Sequence, residues 1–325
     1  MRIIKTIMLT LALTAALFCC VACKDDPSSS EPVYYDVTFN SAGGTEIGAT
    51  RVLEGTVISK PADPVKEGYI FDGWKNGNET WNFEFNKVTS NITLTANWIN
   101  AKSIFEYQSA DGKITLTKYN GSLKSLKIPE VIDGYPVVAL GDGIFKGGVT
   151  DTLVEITVGE NITSIGNSAF YECAGRTIVI EGKLESVGEK AFFGCDGLKK
   201  VEFASGISEI PFEAFSGCTS LETVILSDTV ASIGENAFKA CSKLSLLIAR
   251  SSLKSIADSA FLDCGALDKV YYYGSAEDWA RTEIAEGNNG NQAVIGAELY
   301  IYSEQEPANS GKYWYYDRKG NVRVW

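Results

Sequence analysis

The chain carries eight cysteines and no histidine, and those two facts bound its chemistry. Without His there is no His-based triad, no His general base and no His-ligated metal. Five cysteines, Cys173, Cys195, Cys218, Cys241 and Cys264, recur at steps of 22 or 23 residues. A column of thiols can be disulfide-bonded, metal-bound or packed. An odd number cannot all pair, and one small side chain per step is what a packed column needs, so they read as buried, structural thiols. One step in a stack would still permit the Cα spacing of a disulfide. A thiolate nucleophile would need a partner base, and these thiols are expected to be buried. The 41 Asp and Glu residues could supply a glycosidase-type carboxylate pair, but no pair stands out. No Gly-rich phosphate loop follows a strand and opens a helix. The chain is therefore expected not to be an enzyme and to use no cofactor or metal. Its formal net charge is −12, or −14 once Arg2 and Lys5 are removed, and no basic run occurs, so nucleic acid is a poor partner.

The elements that must position the thiols repeat with them. Ala-Phe recurs at Phe170, Phe192, Phe215, Phe238 and Phe261, three residues before each Cys. Five residues before each Phe stands Ile165, Val187, Ile210, Ile233 or Ile256, and eight before stands Ile162, Leu184, Ile207, Val230 or Leu253. A less regular unit ends at Phe145 and lacks the Cys. A fixed period in the twenties marks a leucine-rich solenoid. In the unit from Leu221 to Leu244, Leu221, Val224 and Leu226 lie on a short strand. Val230 and Ile233 follow across a turn, Ala237 and Phe238 sit in a second turn, helical or 3₁₀, and Cys241 closes the coil. One coil cannot shield its single apolar layer from water, whereas a stack buries a continuous column.

Leu-x-x-Val-x-Leu followed by Ile-Gly-x-x-Ala-Phe-x-x-Cys, from Leu221 to Cys241, resembles the BspA-type leucine-rich repeats of bacterial surface proteins. The lead-in from Asp111 to Tyr119, with Ile128-Pro129 and Ile132 to Val137, resembles that family too. The resemblance implies a mainly β fold with short helical turns, a solenoid with its N-terminal cap over residues 104–270, and a role in adhesion to host or neighbouring-cell proteins. The repeat is a scaffold and does not name a ligand.

Residues 1–22 read as an export signal, with Arg2 and Lys5 ahead of an almost wholly apolar or small run from Ile7 to Val21. Cys20-Val21-Ala22-Cys23 resembles the lipobox of bacterial lipoproteins, which implies that Cys23 is acylated and becomes the N-terminus. Cys20 stands where that motif usually has Leu, and an uncleaved anchor or a plain secretory signal are the alternatives. Lys24-Asp25-Asp26 resembles the signal that sends some Gram-negative lipoproteins to the outer face of the outer membrane. Residues 23–33 form a polar tether with nothing to bury.

Residues 34–99 form a separate module. Val37-Thr-Phe-Asn, Gly43-Gly44, Pro64-x-x-x-Gly68-Tyr-x-Phe-Asp-Gly-Trp74 and Leu94-Thr-Ala-x-Trp98 resemble the internalin-type B-repeat, which implies a small β-grasp-like fold. Trp74, Trp81 and Trp98 could stack on sugars, but in so small a module large rings are expected to be core. Asn100 to Ser103 is the joint to the solenoid. Beyond Leu267 the repeat dissolves. Ser275 reads as a helix N-cap, Glu298 to Tyr302 as a strand, and Lys312 to Trp325 as a hairpin turned at Asp317-Arg318-Lys319-Gly320. Residues 271–325 are rich in Tyr and Trp and read as a C-terminal cap, or as an aromatic sugar platform.

Strand alternation sets the binding face. Thirteen residues before each Phe stand Thr157, Val179, Glu202, Ile225 and Ile248, and fifteen before stand Glu155, Thr177, Lys200, Thr223 and Leu246. Stacked, they form two outward columns. Ile225, Leu246 and Ile248 are expected to be exposed and, beside Glu202 and Lys200, to resemble an interface core with a polar rim. Ordinary cross-strand packing is the other account of the same residues. The expected whole is a monomeric, lipid-anchored surface protein that binds a protein partner on this face. Glycan capture and passive envelope structure are the other readings.

Overall fold

A computed structural model describes residues 31–146, 153–173, 177–287, 290–308 and 311–325. The export signal, Cys23 and most of the tether lie outside the described residues.

Strand alternation builds the N-terminal module. Tyr34–Asn40, Thr50–Leu53, Tyr69–Asn76, Glu79–Thr80 and Ile92–Asn100 form one five-stranded sheet, in which only the first and last strands pair in parallel. The inward residues Val37, Trp74, Leu94 and Ala96 meet Ile58 and Val88 in a core of their own. Phe39 and Phe71 stand edge-on to the fully buried Trp74, so that ring is core as expected. The joint is itself packed. The Asn100 side chain accepts from Lys102 N and caps a single turn, Ala101–Ile104, whose Ala101 is buried. Ile70 of the module reaches into the solenoid's core.

The solenoid opens with a hairpin, Phe105–Ala110 with Lys113–Tyr119. The coils then contribute two short strands each, which pair in parallel and in register with those of the next coil on either side of one junction, between Val187 and Lys200. One line runs Ser125–Lys127, Glu155–Val158, Thr177–Ile180, then Lys200–Glu202, Thr223–Ile225, Leu246–Arg250 and Lys269–Tyr273. The other runs through Ser164–Ile165 and Ser186–Val187, then Glu209–Ile210, Ser232–Ile233 and Ser255–Ile256. Both lines break at one junction: Thr177–Ile180 and Lys200–Glu202 belong to different sheets, linked by an isolated bridge from Ile178 to Leu198, and the second line stops after Val187. For the second line the sequence shows why. Gly166, Gly188, Gly234 and Ala257 each donate their N–H to the preceding coil, and the residue at that position in the next coil after Gly188 is Pro211, which has no N–H. The Gly of the Ile-Gly motif has its own cause, since a Cβ on Gly234 would lie 2.8 Å from the Ile210 carbonyl oxygen.

The Phe column is a continuous stack. Ring centroids from Phe145 through Phe170, Phe192, Phe215 and Phe238 to Phe261 lie 5.0–5.4 Å apart, and all six rings are fully buried. The Ala-Phe segments are tight turns rather than helices. Two residues before each Phe, Ser168, Lys190, Glu213, Asn236 and Ser259 have φ between 51° and 56°, and two after it the backbone is left-handed again at Glu172, Gly194, Gly217, Ala240 and Asp263. All five ladder cysteines are buried thiols outside any disulfide. Each donates its thiol to the carbonyl of the preceding coil's Phe, as Cys195 does to Phe170 at 2.9 Å and Cys264 to Phe238 at 3.0 Å. The column therefore uses Cys as a small apolar group with one donor.

Candidate functional site

The outward columns exist as the alternation demands. Glu155 and Thr157 are in register with Thr177 and Val179, and Lys200 and Glu202 with Thr223, Ile225, Leu246 and Ile248, on the opposite side from Ile156, Val201, Val224 and Leu247, which point into the core. Their exposure is uneven. Glu155, Thr177, Val179 and Lys200 are exposed; Thr157, Glu202, Thr223, Ile225 and Leu246 are half-buried. Ile248 is 0% exposed, which overturns the expectation that it faces water. It belongs to the outer face, in register between Ile225 and Tyr271, and is absent from the coil interior's cluster.

The cover comes from the chain's own C-terminal strands. Glu298–Tyr302, Tyr313–Tyr316 and Val322–Val324 continue the sheet past the last coil and curl onto its outer side. Trp314, fully buried, stands edge-on to Tyr271 and Tyr273, the residues in register with Ile248 and Arg250. Tyr273 is sandwiched between the Arg250 guanidinium, 3.8 Å from its ring centre, and the Tyr302 ring at 4.0 Å. Burial pushes the Tyr316 hydroxyl above its usual range, with Arg250 opposing and Glu202 adding to the shift. The hairpin thus reaches back over the middle coils. The apolar patch read as an interface core is an interface within the chain. The sugar-platform reading of the aromatic segment loses its central ring, because Trp314 has no free face.

Charges rim what remains open. Glu202 takes Lys183 at 2.7 Å and Lys200 at 3.2 Å. Burial raises its pKa, but the two ammonium groups outweigh that and hold the carboxyl below the usual range.

At its N-terminal end the outer face runs into a cleft of about 530 Å³ beneath the N-terminal module. Ser125, Lys127, Glu155 and Thr157 form the floor, and Tyr69 and Trp98 belong to the wall. Lys127 pairs with Glu181 at 3.4 Å. The Lys66 ammonium lies 4.4 Å from the Tyr69 ring centre and 5.7 Å from that of Trp98, and donates to the Ala42 carbonyl at 2.9 Å. Counting back from the Phe column finds Glu155 and Thr157 but misses the other half of this floor. Ser125 and Lys127 continue the outward columns, but they stand 20 and 18 residues before Phe145 because the first unit is longer. Nothing in local sequence announces Lys66 or Tyr69, which reach the site through the packing of the two modules.

The thiol column is chemically closed. Burial pushes the Cys195, Cys218 and Cys241 thiols well above their usual range, so at neutral pH they are protonated and shielded. Among the described residues no group of His, Cys, Asp or Glu is placed to hold a metal ion. Among them, too, no helix is long and apolar enough to cross a membrane.

A sequence model of the BspA type leucine rich repeat region matches in six copies, over residues 115–205 and 163–281. The chain belongs to this family. The Listeria-Bacteroides repeat domain matches residues 35–97, the N-terminal module. Over 67 residues the BspA-type chain is 40% identical to a predicted Gly-rich membrane protein of Evansella cellulosilytica, covering 20% of this chain and 8% of that one. A second predicted membrane protein of the same organism is 34% identical over 89 residues, covering 25% of this chain and 13% of that one. The chain thus spans only about a tenth of the length of these curated relatives. Among solved structures it is similar to a T. pallidum leucine-rich-repeat protein, at 26% identity and TM-score 0.35, over 52% of this chain and 69% of that one. It is also similar to a leucine-rich cell surface protein of Faecalibacterium prausnitzii, at 23% identity and TM-score 0.41, over 68% and 59%.

Proposed function

We propose that this BspA-type protein is anchored at the cell surface and seats a protein partner on the open half of its outer sheet face, against the N-terminal module. One observation carries the reading. The outer face is closed by the chain itself at its C-terminal end and opens, at the other, into a walled cleft. Junctions between modules are where binding clefts most often form. The floor mixes charged, hydroxyl and apolar groups, as an interface with a polar rim does. Thr157 and Val179 lie in this open half. Lys200, Glu202, Thr223 and Ile225 border it, while Leu246 and Ile248 belong to the covered half.

The test is a screen of residues 24–325 against immobilised matrix proteins and glycans in parallel, repeated with Glu155→Lys combined with Val179→Glu. The pair should abolish binding to any protein found while leaving the melting temperature within a few degrees. Normal binding by the pair would move the site elsewhere. The glycan alternative is weakened by Lys66, which already occupies the Tyr69 and Trp98 ring faces that a sugar would use.

The same proposal includes export and acylation at Cys23, with the anchor in the outer membrane and the protein facing outward; the lipobox-like run and Lys24-Asp25-Asp26 support it. Cys23→Ser should leave an unprocessed precursor that takes up no labelled fatty acid. Normal labelling of that variant would remove Cys23 from the proposal.

A further inference from the structure

The N-terminal module has two poles. One walls the cleft against the solenoid. The other lies where the first strand begins, because Ile92–Asn100 runs parallel to Tyr34–Asn40 and leaves for the solenoid at its far end. That second pole turns Val33, Tyr34, Leu53, Val57 and Phe85 to water, at exposures between 40% and 75%. The backbone gathers them. Glu54 N donates to the Val33 carbonyl, Tyr34 pairs with Leu53, Gly55 N donates to the Val88 carbonyl, and Val88 N to that of Thr56.

Phe85, the most exposed of these, is presented by an ordered turn. Asn86 N donates to the Asn82 carbonyl at 2.8 Å, Asn82 N to the Asn86 side chain at 2.6 Å, and Glu84 N to the Asn82 side chain at 2.8 Å. Phe83, two residues earlier, packs on the module's core. Phe85 adds little burial to the fold, and a large apolar ring held out by a closed turn asks for a partner.

The chain itself indicates which one. This pole is where residues 1–32 enter the module, and they contain the apolar run from Ile7 to Val21 and the Cys at 23. Val33 is the tenth residue after Cys23. Ten residues of chain reach at most about 35 Å. So short a tether holds the pole at a high effective concentration near a bilayer, and a weak patch then suffices. The Arg51 guanidinium lies 5.5 Å from the Tyr34 ring centre, a basic and aromatic pairing suited to a headgroup layer. Glu54 and Glu84 flank the pole as well, so the contact is apolar rather than polybasic.

We propose that this pole rests in the lipid interface, making the N-terminal module a base that stands the solenoid off the membrane. The inference rests on the reading that residues 1–23 anchor the chain, and it holds alike for an acylated Cys23 and an uncleaved apolar anchor. The test uses the full chain reconstituted into phosphatidylethanolamine–phosphatidylglycerol liposomes, with nitroxide labels at Phe85→Cys or, as a control, Val179→Cys. The buried ladder thiols do not label, and the parent chain reports any signal from leader thiols. The expected result is that the label at position 85 meets oxygen far more than a water-soluble nickel complex, while the label at 179 shows the reverse. If the chain fails to float with the liposomes, the anchoring reading falls and the inference with it. If it floats but position 85 is as open to nickel as position 179, the inference falls alone. Shielding of position 85 from both reagents would also overturn it, since that marks a protein cover such as a second copy.

Discussion

The two ends of the Phe column are closed by different means. At the N-terminal end the column continues in rings, with Tyr119 5.6 Å from Phe145 and Phe105 5.3 Å from Tyr119. At the C-terminal end it stops at an amide, Asn291, which is fully buried. The difference follows from the direction of the inter-coil hydrogen bonds. Each Phe N–H points forward, to the carbonyl of the Ala before the next Phe, as Phe192 does to Ala214 and Phe238 to Ala260. The first coil can therefore lack a forward donor beneath it and leave only a carbonyl short of a partner. The last coil would leave the Phe261 N–H orphaned, and buried orphan N–H groups are rarer than under-satisfied carbonyls. Asn291 Oδ1 takes that proton at 3.1 Å, in place of the absent Ala carbonyl, and its Nδ2 donates to the Ala257 and Ala285 carbonyls at 2.9 and 2.7 Å. An apolar layer can be closed by any ring, whereas a forward-pointing donor needs an acceptor in one place.

The middle of the column should show the largest effect. Phe238→Ala removes a ring stacked on both sides and should cost about 3–5 kcal/mol in denaturant titration. A loss under about 1 kcal/mol would mean that the rings are not the core. The C-terminal end comes next. Asn291→Leu keeps the volume but strips the partner from one N–H and two carbonyls, and should cost about 2–4 kcal/mol. Hydrogen exchange should then quicken first in the coil around Phe261. Uniform loss along the solenoid would remove Asn291's special place. At the N-terminal end Tyr119→Phe keeps the ring and loses only the bond from Leu123 N to its hydroxyl, 3.1 Å. It should cost about 1 kcal/mol. If it cost as much as Asn291→Leu, the contrast between an apolar and a polar closure would fail. Smaller and opposite in sign is Lys190→Gly. Lys190 sits at φ 56°, where a Cβ is strained, so Gly should stabilise by about 0.5–1 kcal/mol even after its extra unfolded-state entropy.

Much of this was legible from spacing alone, because one-dimensional stacking turns sequence period directly into neighbours. The Phe and Cys columns, the outward columns at Glu155 and Thr157, the Ser275 cap and the hairpin at Asp317 could all be counted off. Ser275 closes a capping box with Asp278. What counting could not give is any contact between residues out of phase. Ile248 obeys the alternation and still is buried, because a segment more than sixty residues later folds over it. The part of the cleft floor made by Ser125 and Lys127 lies beyond the repeat's regular phase, and its wall belongs to another module. In sequence Asn291 is one more polar residue in the Gly- and Asn-rich run 287–291, and only the Phe261 N–H it accepts from gives it a role.

The covering hairpin offers the smallest test. Asp317 accepts from Asn321 N and Lys319 N, both at 2.9 Å, and from Arg323 Nε at 3.1 Å. The bond from the Asn321 backbone leads in lowering its carboxyl, to about 2. A carboxyl lowered on folding stabilises fully above its unfolded value near 4, and that contribution fades as pH falls toward the folded value. The hairpin should therefore loosen between about pH 4 and 2 while the Phe column, which holds no titrating group in that range, stays protected. The reporters are the Trp325 indole N–H, which donates to the Ser303 carbonyl at 3.1 Å, and the Tyr315–Trp325 ring stack at 4.1 Å. Their NMR signals should shift over that window, with Ile248 methyl resonances following as the cover lifts. Asp317→Asn should remove the step. A hairpin that holds its signals unchanged to pH 2 would show that packing by Trp314, rather than the Asp317 turn, keeps the outer face closed.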